Sequence, residues 1–228
     1  MLTEAQPARR RILVIDDHPL LRRGLSALIN QELDLIVTGE AADGDRALQL
    51  LDSQAFDMAT VDISLPGTDG VELVKAIKLR VSTMPMLVLS MHDEDLFAER
   101  ALRAGARGFI TKEESADGIL RAIRRVLDGQ ICVSDRIATR MLKKIVGGDS
   151  EAGHCSLECL SDRELTIFRL IGKGCGTRQI AEELHLSIKT VESHRAHIKE
   201  KLDIASGTEL VRYACVWESQ TTLDKPGP

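Results

Sequence analysis

The sequence lacks several features that define other classes of protein. Its 228 residues contain no apolar run near the roughly 20 residues that a helix needs to cross a bilayer, so we expect no membrane partner. The N-terminus passes from basic to acidic residues without a long apolar stretch, which is not the pattern of a secretory signal. Five cysteines, an odd and widely spread set, argue against a disulfide framework. These absences predict a cytoplasmic protein.

The composition that remains is typical of a globular protein. Hydrophobic residues make up 43% of the chain and charged residues 29%, which excludes a wholly disordered or collagen-like chain. The formal net charge is −5, and the whole acidic excess lies in residues 1–130. An acidic average does not exclude nucleic-acid binding, because a single face can still be basic.

Short apolar runs alternate with amphipathic helical patterns from residue 11 to about residue 128. The runs are rich in Val and Ile and do not alternate with polar residues, which is typical of parallel strands buried on both faces. They lie at residues 11–15, 35–37, 58–61, 86–89 and 108–110. Five strands alternating with five helices predict a doubly wound, five-stranded parallel α/β sheet.

The sheet pattern ends near Gly129, after which only helical patterns follow. The predicted organisation is an N-terminal tail (1–10), an α/β domain (11–129), a linker (130–157, with a helix at 134–146 and a flexible part at 147–153), a helical domain (158–218) and a C-terminal tail (219–228). His154 and Cys155 in the linker and Cys159 just after it lack the paired spacing of a zinc site, so we expect no metal there.

Polar side chains follow four of the predicted strands. Asp16 and Asp17 follow the first strand, Asp62 the third, Ser90 the fourth and Lys112 the fifth. Ligands of open α/β sheets bind at the carboxyl ends of the strands, so we expect these side chains to meet. Three carboxylates in one crevice repel one another unless a cation joins them, and oxygen ligands suit Mg²⁺. The set predicts a Mg²⁺ site flanked by a hydroxyl and a lysine that can pair with an anion.

Three of these residues also have an ordinary structural alternative. Asp17 stands before His18-Pro19 and is placed to cap the next helix. Asp62 taken alone is an ordinary loop acid, and Lys112 taken alone is a solvated surface lysine. The functional interpretation rests on their joint occurrence at several strand ends.

This part of the chain resembles the receiver domain of two-component response regulators. The motifs that carry the resemblance are ILVIDD (12–17), VDISLPGTDG (61–70), LVLS (87–90) and GFITK (108–112). The resemblance covers residues 11–128 and implies that Asp62 accepts a phosphoryl group from a cognate sensor histidine kinase. It further implies that Asp16, Asp17 and Asp62 hold Mg²⁺, assisted by the backbone of Ile63 or Ser64.

The same resemblance assigns two further roles. Ser90, where the family often has threonine, and Lys112 would bind the aspartyl phosphate. Ser90 and Phe109 would form the switch: Ser90 moves to meet the phosphate and vacates space into which Phe109 turns. Phe109 has an alternative as plain core filling.

Residues 158–218 predict a second, helical domain. Ser161 and Glu164 form a capping box at the start of its first helix. Thr177 is predicted to cap the second helix and Ser187 the third. Two helices joined by a tight turn are the arrangement of a helix-turn-helix that reads the major groove of DNA.

The third helix has a core side and a small, polar side. Val191, Ile198 and Leu202 fall together on a helical wheel and are predicted to face the core. The opposite side has Ser193 and Ala196 near its middle, which lets a helix enter a groove about 12 Å wide.

The residues predicted to contact DNA lie along this helix. They are Lys189, Thr190, Glu192, Ser193, Arg195, Ala196, His197 and Lys199. The three cations would contact phosphates, which contributes affinity rather than sequence choice. Glu192 would accept a hydrogen bond from a cytosine amino group, and Ala196 would touch a thymine methyl.

This second domain resembles the LuxR-type helix-turn-helix over about residues 158–217. The matching motifs are LSDREL (160–165), IAEELHLSIKTVESHR (180–195) and EKL (200–202). Joined to a receiver, it indicates the NarL/FixJ subfamily of response regulators, which are transcriptional regulators rather than enzymes. Promoter DNA, a second copy of the chain and RNA polymerase are the partners that this implies.

Three alternatives remain open from the sequence. The last helix, 207–217, carries apolar residues that suit either a dimer contact on DNA or packing against the first helix of the domain. The chain is either regulated by phosphorylation or a phosphorylation-independent DNA-binding regulator whose receiver mediates protein contacts. An enzyme that uses an aspartate nucleophile on phosphomonoesters is the third, less favoured alternative.

Overall fold

A computed structural model describes residues 9–65, 70–91, 94–147, 157–184 and 186–223. The chain divides into two compact units, Met1–Ser150 and Glu151–Pro228. The predicted tails (1–10, 219–228) and the segment 147–153 lie partly outside the described residues, and His154 and Cys155 lie wholly outside them. Among the described residues, none of the helices is both long and apolar enough to span a bilayer.

The first unit is a parallel sheet flanked by helices. Its strands are β1 (Arg10–Ile15), β2 (Leu35–Ala41), β3 (Met58–Asp62), β4 (Met86–Ser90) and β5 (Gly108–Thr111). Its helices are α1 (Pro19–Asn30), α2 (Gly44–Ser53), α3 (Gly70–Arg80), α4 (Glu94–Ala104), α5 (Ala116–Leu127) and α6 (Asp135–Gly147). The strand order is β2-β1-β3-β4-β5, and every neighbouring pair is parallel. The predicted doubly wound α/β sheet is confirmed.

The edge strand β2 extends further than the sequence pattern predicts, to Ala41 instead of residue 37. Its second half contains polar residues and a glycine, so the apolar run stops while the hydrogen-bonded strand continues. The register against β1 shifts between Ile12 and Leu13, which is a bulge. A Cβ at Gly39 would lie 2.7 Å from the ring of Phe56, so any larger residue at this point of the strand would force the ring to move.

The start of the predicted linker is part of the core of this unit. The backbone N–H of Cys132 donates to Arg107, and the N–H of Phe109 donates to the carbonyl of Cys132 at 2.8 Å. Cys132 thereby pairs in parallel with β5 and is buried in the same apolar cluster as Val126. Ile137 of α6 is also buried, and α6 packs against α4. The linker helix therefore begins from a point anchored at the sheet edge.

The described part of the second unit consists of helices around α7. A 3₁₀ turn (Leu157–Cys159) precedes α7 (Asp162–Gly172), α8 (Thr177–Glu183), α9 (Ile188–Lys201) and α10 (Gly207–Leu223). Helix α7 packs against α8, α9 and α10. The ring of Phe168 on α7 meets Tyr213 and Trp217 of α10 edge to face, with centroids 5.6 and 5.8 Å away. These aromatic contacts hold the long last helix on the unit.

Two of the three predicted helix caps are confirmed, and one is wrong. Ser161 and Glu164 form the capping box of α7, and the Ser187 hydroxyl accepts the N–H of Thr190 at the start of α9. Thr177, in contrast, is already the first helical residue of α8, and Gly176 is its cap. Gly176 has the extended backbone conformation of an N-cap residue, and its N–H donates to the Gln179 side chain at 2.8 Å. Helix α8 therefore starts at Thr177 itself, one residue earlier than a helix that Thr177 could cap.

Helix α10 uses part of its apolar face for the core. Leu210 and Ala214 are fully buried, whereas Val211 is 37% exposed and Val216 51% exposed. The structure therefore confirms core packing for two of the residues that the sequence left open. The exposed valines remain available for another contact.

Candidate functional site

The carboxyl ends of β1, β3 and β5 bring two carboxylates and a lysine together. Lys112 Nζ lies 2.7 Å from Oδ2 of Asp16 and 2.7 Å from Oδ2 of Asp62. The three side chains are buried, with at most 7% of any of them exposed. β1 and β3 are neighbours, so the two aspartates are adjacent, and the long lysine side chain reaches them from β5.

The loop after β3 fixes the Asp62 side chain. Asp62 Oδ1 accepts the backbone N–H of Ser64 at 3.2 Å. The N–H of Gly70, at the start of α3, donates to the carbonyl of Ile63. A side chain at Gly70 would lie 2.5 Å from the Ile63 backbone, so glycine lets α3 begin directly against this loop. The role of the Ser64 backbone in holding a metal stays a prediction.

His18 completes the rim of the site, and it is absent from the set of site residues predicted from the sequence. Its Nδ1 lies 2.7 Å from Oδ1 of Asp17, 3.5 Å from Oδ1 of Asp16 and 4.0 Å from Oδ2 of Asp62. The available signal was its position directly after two aspartates at a strand end. The alternative that Asp17 caps α1 is wrong, because His18 is the N-cap and makes no side-chain cap bond.

Burial and neighbouring charges shift the pKa values of the buried groups. Burial raises the pKa of Asp62 above its ordinary value, with Asp16 adding to the shift and Lys112 and the Ser64 N–H opposing it. Burial alone would lower the pKa of Lys112, but Asp62 and Asp16 outweigh it and the pKa is raised. Lys112 therefore remains a cation beside a carboxyl group that is costly to ionise.

The donor set of this acidic pocket fits a divalent cation. Asp16, Asp17, His18 and Asp62 each offer one ligand atom, and the four atoms all lie within 4.8 Å of one another. Carboxylate oxygens are the ligands of hard ions such as Mg²⁺, and a dication would relieve the repulsion among the three acids. The pocket can hold a metal ion between these side chains.

Ser90 lies on β4, which pairs with Asp62's strand β3, and Phe109 lies on β5, the next strand toward the sheet edge. Ser90 is the last residue of β4, is fully buried, and accepts the backbone N–H of Lys112 with its carbonyl at 2.8 Å. Phe109 is fully buried on β5, where it is the register partner of Val88. Ser90 therefore lies at the same end of the sheet as Lys112, and Phe109 lies further back along β5.

Helix α9 presents the predicted polar face to solvent. Val191, Ile198 and Leu202 are buried, which confirms the predicted core side. Lys189, Glu192, Ser193, Ala196 and His197 are exposed, and Thr190, Arg195 and Lys199 are half-buried. A groove between this face and the start of α10 is lined by Glu192, Arg195, Ala196, Lys199, Gly207 and Leu210. All eight residues predicted to contact DNA are therefore at least partly accessible to solvent, and four of them line this groove.

Comparison with known proteins finds relatives of both units. Residues 12–124 match the model of the response regulator receiver domain, and residues 158–214 match that of bacterial regulatory proteins of the luxR family. The chain is 36% identical over 208 residues to the oxygen regulatory protein NreC of Staphylococcus haemolyticus. The aligned region covers 90% of this chain and 96% of NreC.

Two solved structures resemble the fold. A LuxR-family two-component response regulator from Aurantimonas sp. SI85-9A1 is 32% identical with a TM-score of 0.56, covering 61% of this chain and 99% of its own. RcsB from Salmonella enterica serovar Typhimurium, bound to promoter rprA with the phosphomimetic BeF3−, is 25% identical with a TM-score of 0.56, covering 91% and 99%. Because the relative NreC aligns over nine-tenths of the chain and both family models match in tandem, this chain belongs to the two-component response regulators that join a receiver domain to a LuxR-type helix-turn-helix domain.

Proposed function

We propose that the chain is a DNA-binding transcriptional regulator that is activated when Asp62 accepts a phosphoryl group from a cognate sensor histidine kinase. The observation that carries this proposal is the buried contact of Lys112 with Asp62 beside Asp16. A carboxylate acts as a nucleophile toward phosphorus once nearby cations neutralise the incoming charge. Lys112 is held within hydrogen-bond distance of the reacting carboxylate, where it can pair with that charge.

The transfer forms one bond and breaks another. An oxygen of Asp62 attacks the phosphorus, and the bond from phosphorus to the kinase's histidine nitrogen breaks, so the product is an acyl phosphate on Asp62. Mg²⁺ held by Asp16, Asp17 and Asp62, with the Ser64 backbone, would supply charge neutralisation to the phosphoryl oxygens. The product brings about two negative charges to the strand ends, where Lys112 pairs with them and the Ser90 hydroxyl donates a hydrogen bond.

We propose that this charge shifts the population of receiver conformations through Ser90 and Phe109. Movement of Ser90 toward the phosphate would free space into which the Phe109 ring turns. The hydrogen bond between the Phe109 N–H and the Cys132 carbonyl connects that strand to the segment before α6, which supports a path to the linker. The active form is proposed to be a homodimer.

The output is proposed to be promoter binding by α9, with its cations on phosphates and Glu192 and Ala196 on bases. The structure of RcsB on a promoter with a phosphomimetic supports this output by similarity. Val211 and Val216, exposed on α10, suit the second copy in the homodimer. As a DNA-binding regulator the chain would act in the cytoplasm, and contact with RNA polymerase stays a prediction.

Labelling by a small phosphodonor tests the phosphorylation site. Wild-type protein in Mg²⁺ is expected to take up one phosphoryl group, and Asp62→Asn is expected to take up none. Asp52→Asn is the matched control, because Asp52 is exposed on α2 and should be labelled like the wild type. Persistent labelling of Asp62→Asn would defeat the assignment.

A genome-wide pull-down of DNA with and without the phosphodonor tests the link to DNA. Recovery of specific promoters is expected to rise with phosphorylation in the wild type and to stay low in Asp62→Asn. Equal recovery in both conditions would instead support a phosphorylation-independent regulator.

A further inference from the structure

We propose that His18 is an additional metal ligand of the acidic pocket, and that it makes the pocket bind Co²⁺ or another borderline divalent cation more tightly than Mg²⁺. The proposal rests on the proposed function of this site and adds the kind of cation that the site selects. It is carried by the position of the imidazole relative to the three carboxylates.

The local sequence fixes the backbone conformation of His18. Pro19, the first residue of α1, restricts the residue before it to extended backbone, and His18 has φ −82° and ψ 106°. The backbone N–H of His18 donates to Oδ1 of Asp16 at 2.8 Å. His18 is therefore tied at its backbone to one carboxylate of the pocket.

The side chain brings a nitrogen within reach of one ion shared with the acids. Two ligand atoms that each bind an ion at about 2.1 Å lie roughly 3 to 4 Å apart. Nδ1 of His18 lies 3.5 Å from Oδ1 of Asp16 and 4.0 Å from Oδ2 of Asp62, which are distances of this size. The 2.7 Å separation from Oδ1 of Asp17 needs to open by a few tenths of an ångström, and the Asp17 side chain is 28% exposed, in contrast to the more deeply buried Asp16 and Asp62.

The exposure of the four side chains indicates the side from which an ion enters. Asp16 and Asp62 are 5% and 2% exposed, whereas Asp17 and His18 are 28% and 49% exposed. The imidazole is thus the most exposed of the four side chains, whereas the Lys112 side chain is only 7% exposed. To bind an ion, Nδ1 has to present its lone pair, so the imidazole must carry its single proton on Nε2 in place of the Nδ1–H that the 2.7 Å contact with Asp17 implies.

Ligand chemistry then separates the cations. Mg²⁺ prefers oxygen ligands and retains several waters, so His18 adds little to its binding. Imidazole is a good ligand for Fe, Ni, Cu and Zn, and Co²⁺ falls within this series of increasing affinity. In this pocket of three carboxylates and one imidazole, His18 is therefore the ligand whose loss should weaken Co²⁺ binding more than Mg²⁺ binding.

Calorimetric titration of the full chain with Co²⁺ and with Mg²⁺ tests the proposal. His18→Gln is expected to weaken Co²⁺ binding by roughly tenfold or more and to change Mg²⁺ binding by less than about twofold. The unchanged Mg²⁺ affinity shows that the variant pocket is intact. A double variant, Asp16→Asn with Asp17→Asn, serves as the control for Co²⁺ binding elsewhere on the chain, for example at cysteine thiolates. The Co²⁺ binding that this variant retains is subtracted from that of the wild type and of His18→Gln. The visible spectrum of bound Co²⁺ should also change on loss of the nitrogen ligand.

Three results would overturn the proposal. These are an unchanged Co²⁺ affinity in His18→Gln, an equal loss for both ions, and tighter binding of both ions, which would show that the imidazole competes with the metal for Asp17. Each of these results concerns the His18→Gln variant, whereas the proposed function is tested separately by labelling Asp62 of the wild-type chain in Mg²⁺. Failure of the proposed function would instead appear as loss of Asp62-dependent labelling in the wild type.

Discussion

Lys112 Nζ lies 2.7 Å from Oδ2 of Asp62, although 50 residues separate them in the chain. The bond joins the ends of β5 and β3 across the end of β4, and both side chains are buried. A buried carboxylate without a compensating cation destabilises the fold. The lysine that we propose for binding phosphate therefore also compensates the charge of the unphosphorylated pocket.

Replacing Lys112 should reveal that compensation. Lys112→Met is expected to lower the free energy of unfolding by about 3 kcal/mol in the presence of a chelator, because Asp16 and Asp62 lose their cation. Saturating Mg²⁺ should restore part of this loss in the variant. Urea unfolding with chelator and with Mg²⁺ measures both effects, and a loss that Mg²⁺ leaves unchanged would contradict the explanation.

Asp62→Asn should stabilise the metal-free protein in a pH-dependent way. The folded-state pKa of Asp62 is raised above 3.8, so the folded state binds this proton more tightly and stability falls as pH rises through the raised pKa. The Asn variant has no charge to bury. Its melting temperature is expected to exceed that of the wild type at pH 7 without divalent ions, and the difference should disappear below the ordinary value of 3.8. A difference independent of pH would refute this account.

Glu164 links α7 to α9 and should stabilise the DNA-binding unit except in acid. Burial would raise its pKa, but Lys201 at 2.6 Å and the Ser161 N–H at 2.8 Å outweigh burial and lower it. This stabilisation is present above the ordinary pKa of 4.5 and is lost as pH falls through the lowered pKa.

The variant Glu164→Gln is expected to destabilise this unit by about 1 to 2 kcal/mol at pH 7 and by less at acid pH. Chemical unfolding followed by Trp217 fluorescence measures the loss, since Trp217 packs on α7. Glu200→Gln on the exposed side of α9 is the control and should change stability by less than about 0.5 kcal/mol. Equal losses in the two variants would contradict a specific role for Glu164.

Two neighbouring substitutions on α9 should separate affinity from specificity. Lys189→Ala is expected to weaken binding to all DNA sequences and to reduce the slope of affinity against salt by about one. Glu192→Ala should instead change the preferred half-site. Binding measured over a salt series and a set of half-site variants checks both, with the exposed Lys173→Ala as a control outside α9. An unaltered preference in Glu192→Ala would exclude it as a base-reading residue.

Local patterns explain which structural predictions are correct. Strands buried on both faces appear in the sequence as apolar runs. The side chains of the caps Ser161 and Ser187 accept a backbone N–H three residues further on. Strands and caps of this kind can therefore be recognised from short stretches of sequence. The second half of β2 and the pairing of Cys132 have no such signal. Their backbone groups find partners in distant segments, whatever the local hydropathy. The prediction that Thr177 caps α8 is wrong because Gly176 has the extended backbone conformation of the N-cap.

The amino-acid order by itself determined the kinds of element, their succession, and the placing of Asp16, Asp62 and Lys112 at the ends of strands, since periodicity and caps are short-range properties. The tertiary structure alone decided that β3 pairs between β1 and β4, that Lys112 reaches both aspartates, and that His18 Nδ1 turns toward the acids. Those outcomes depend on through-space packing between segments far apart in the chain, where the energies of many contacts choose one arrangement.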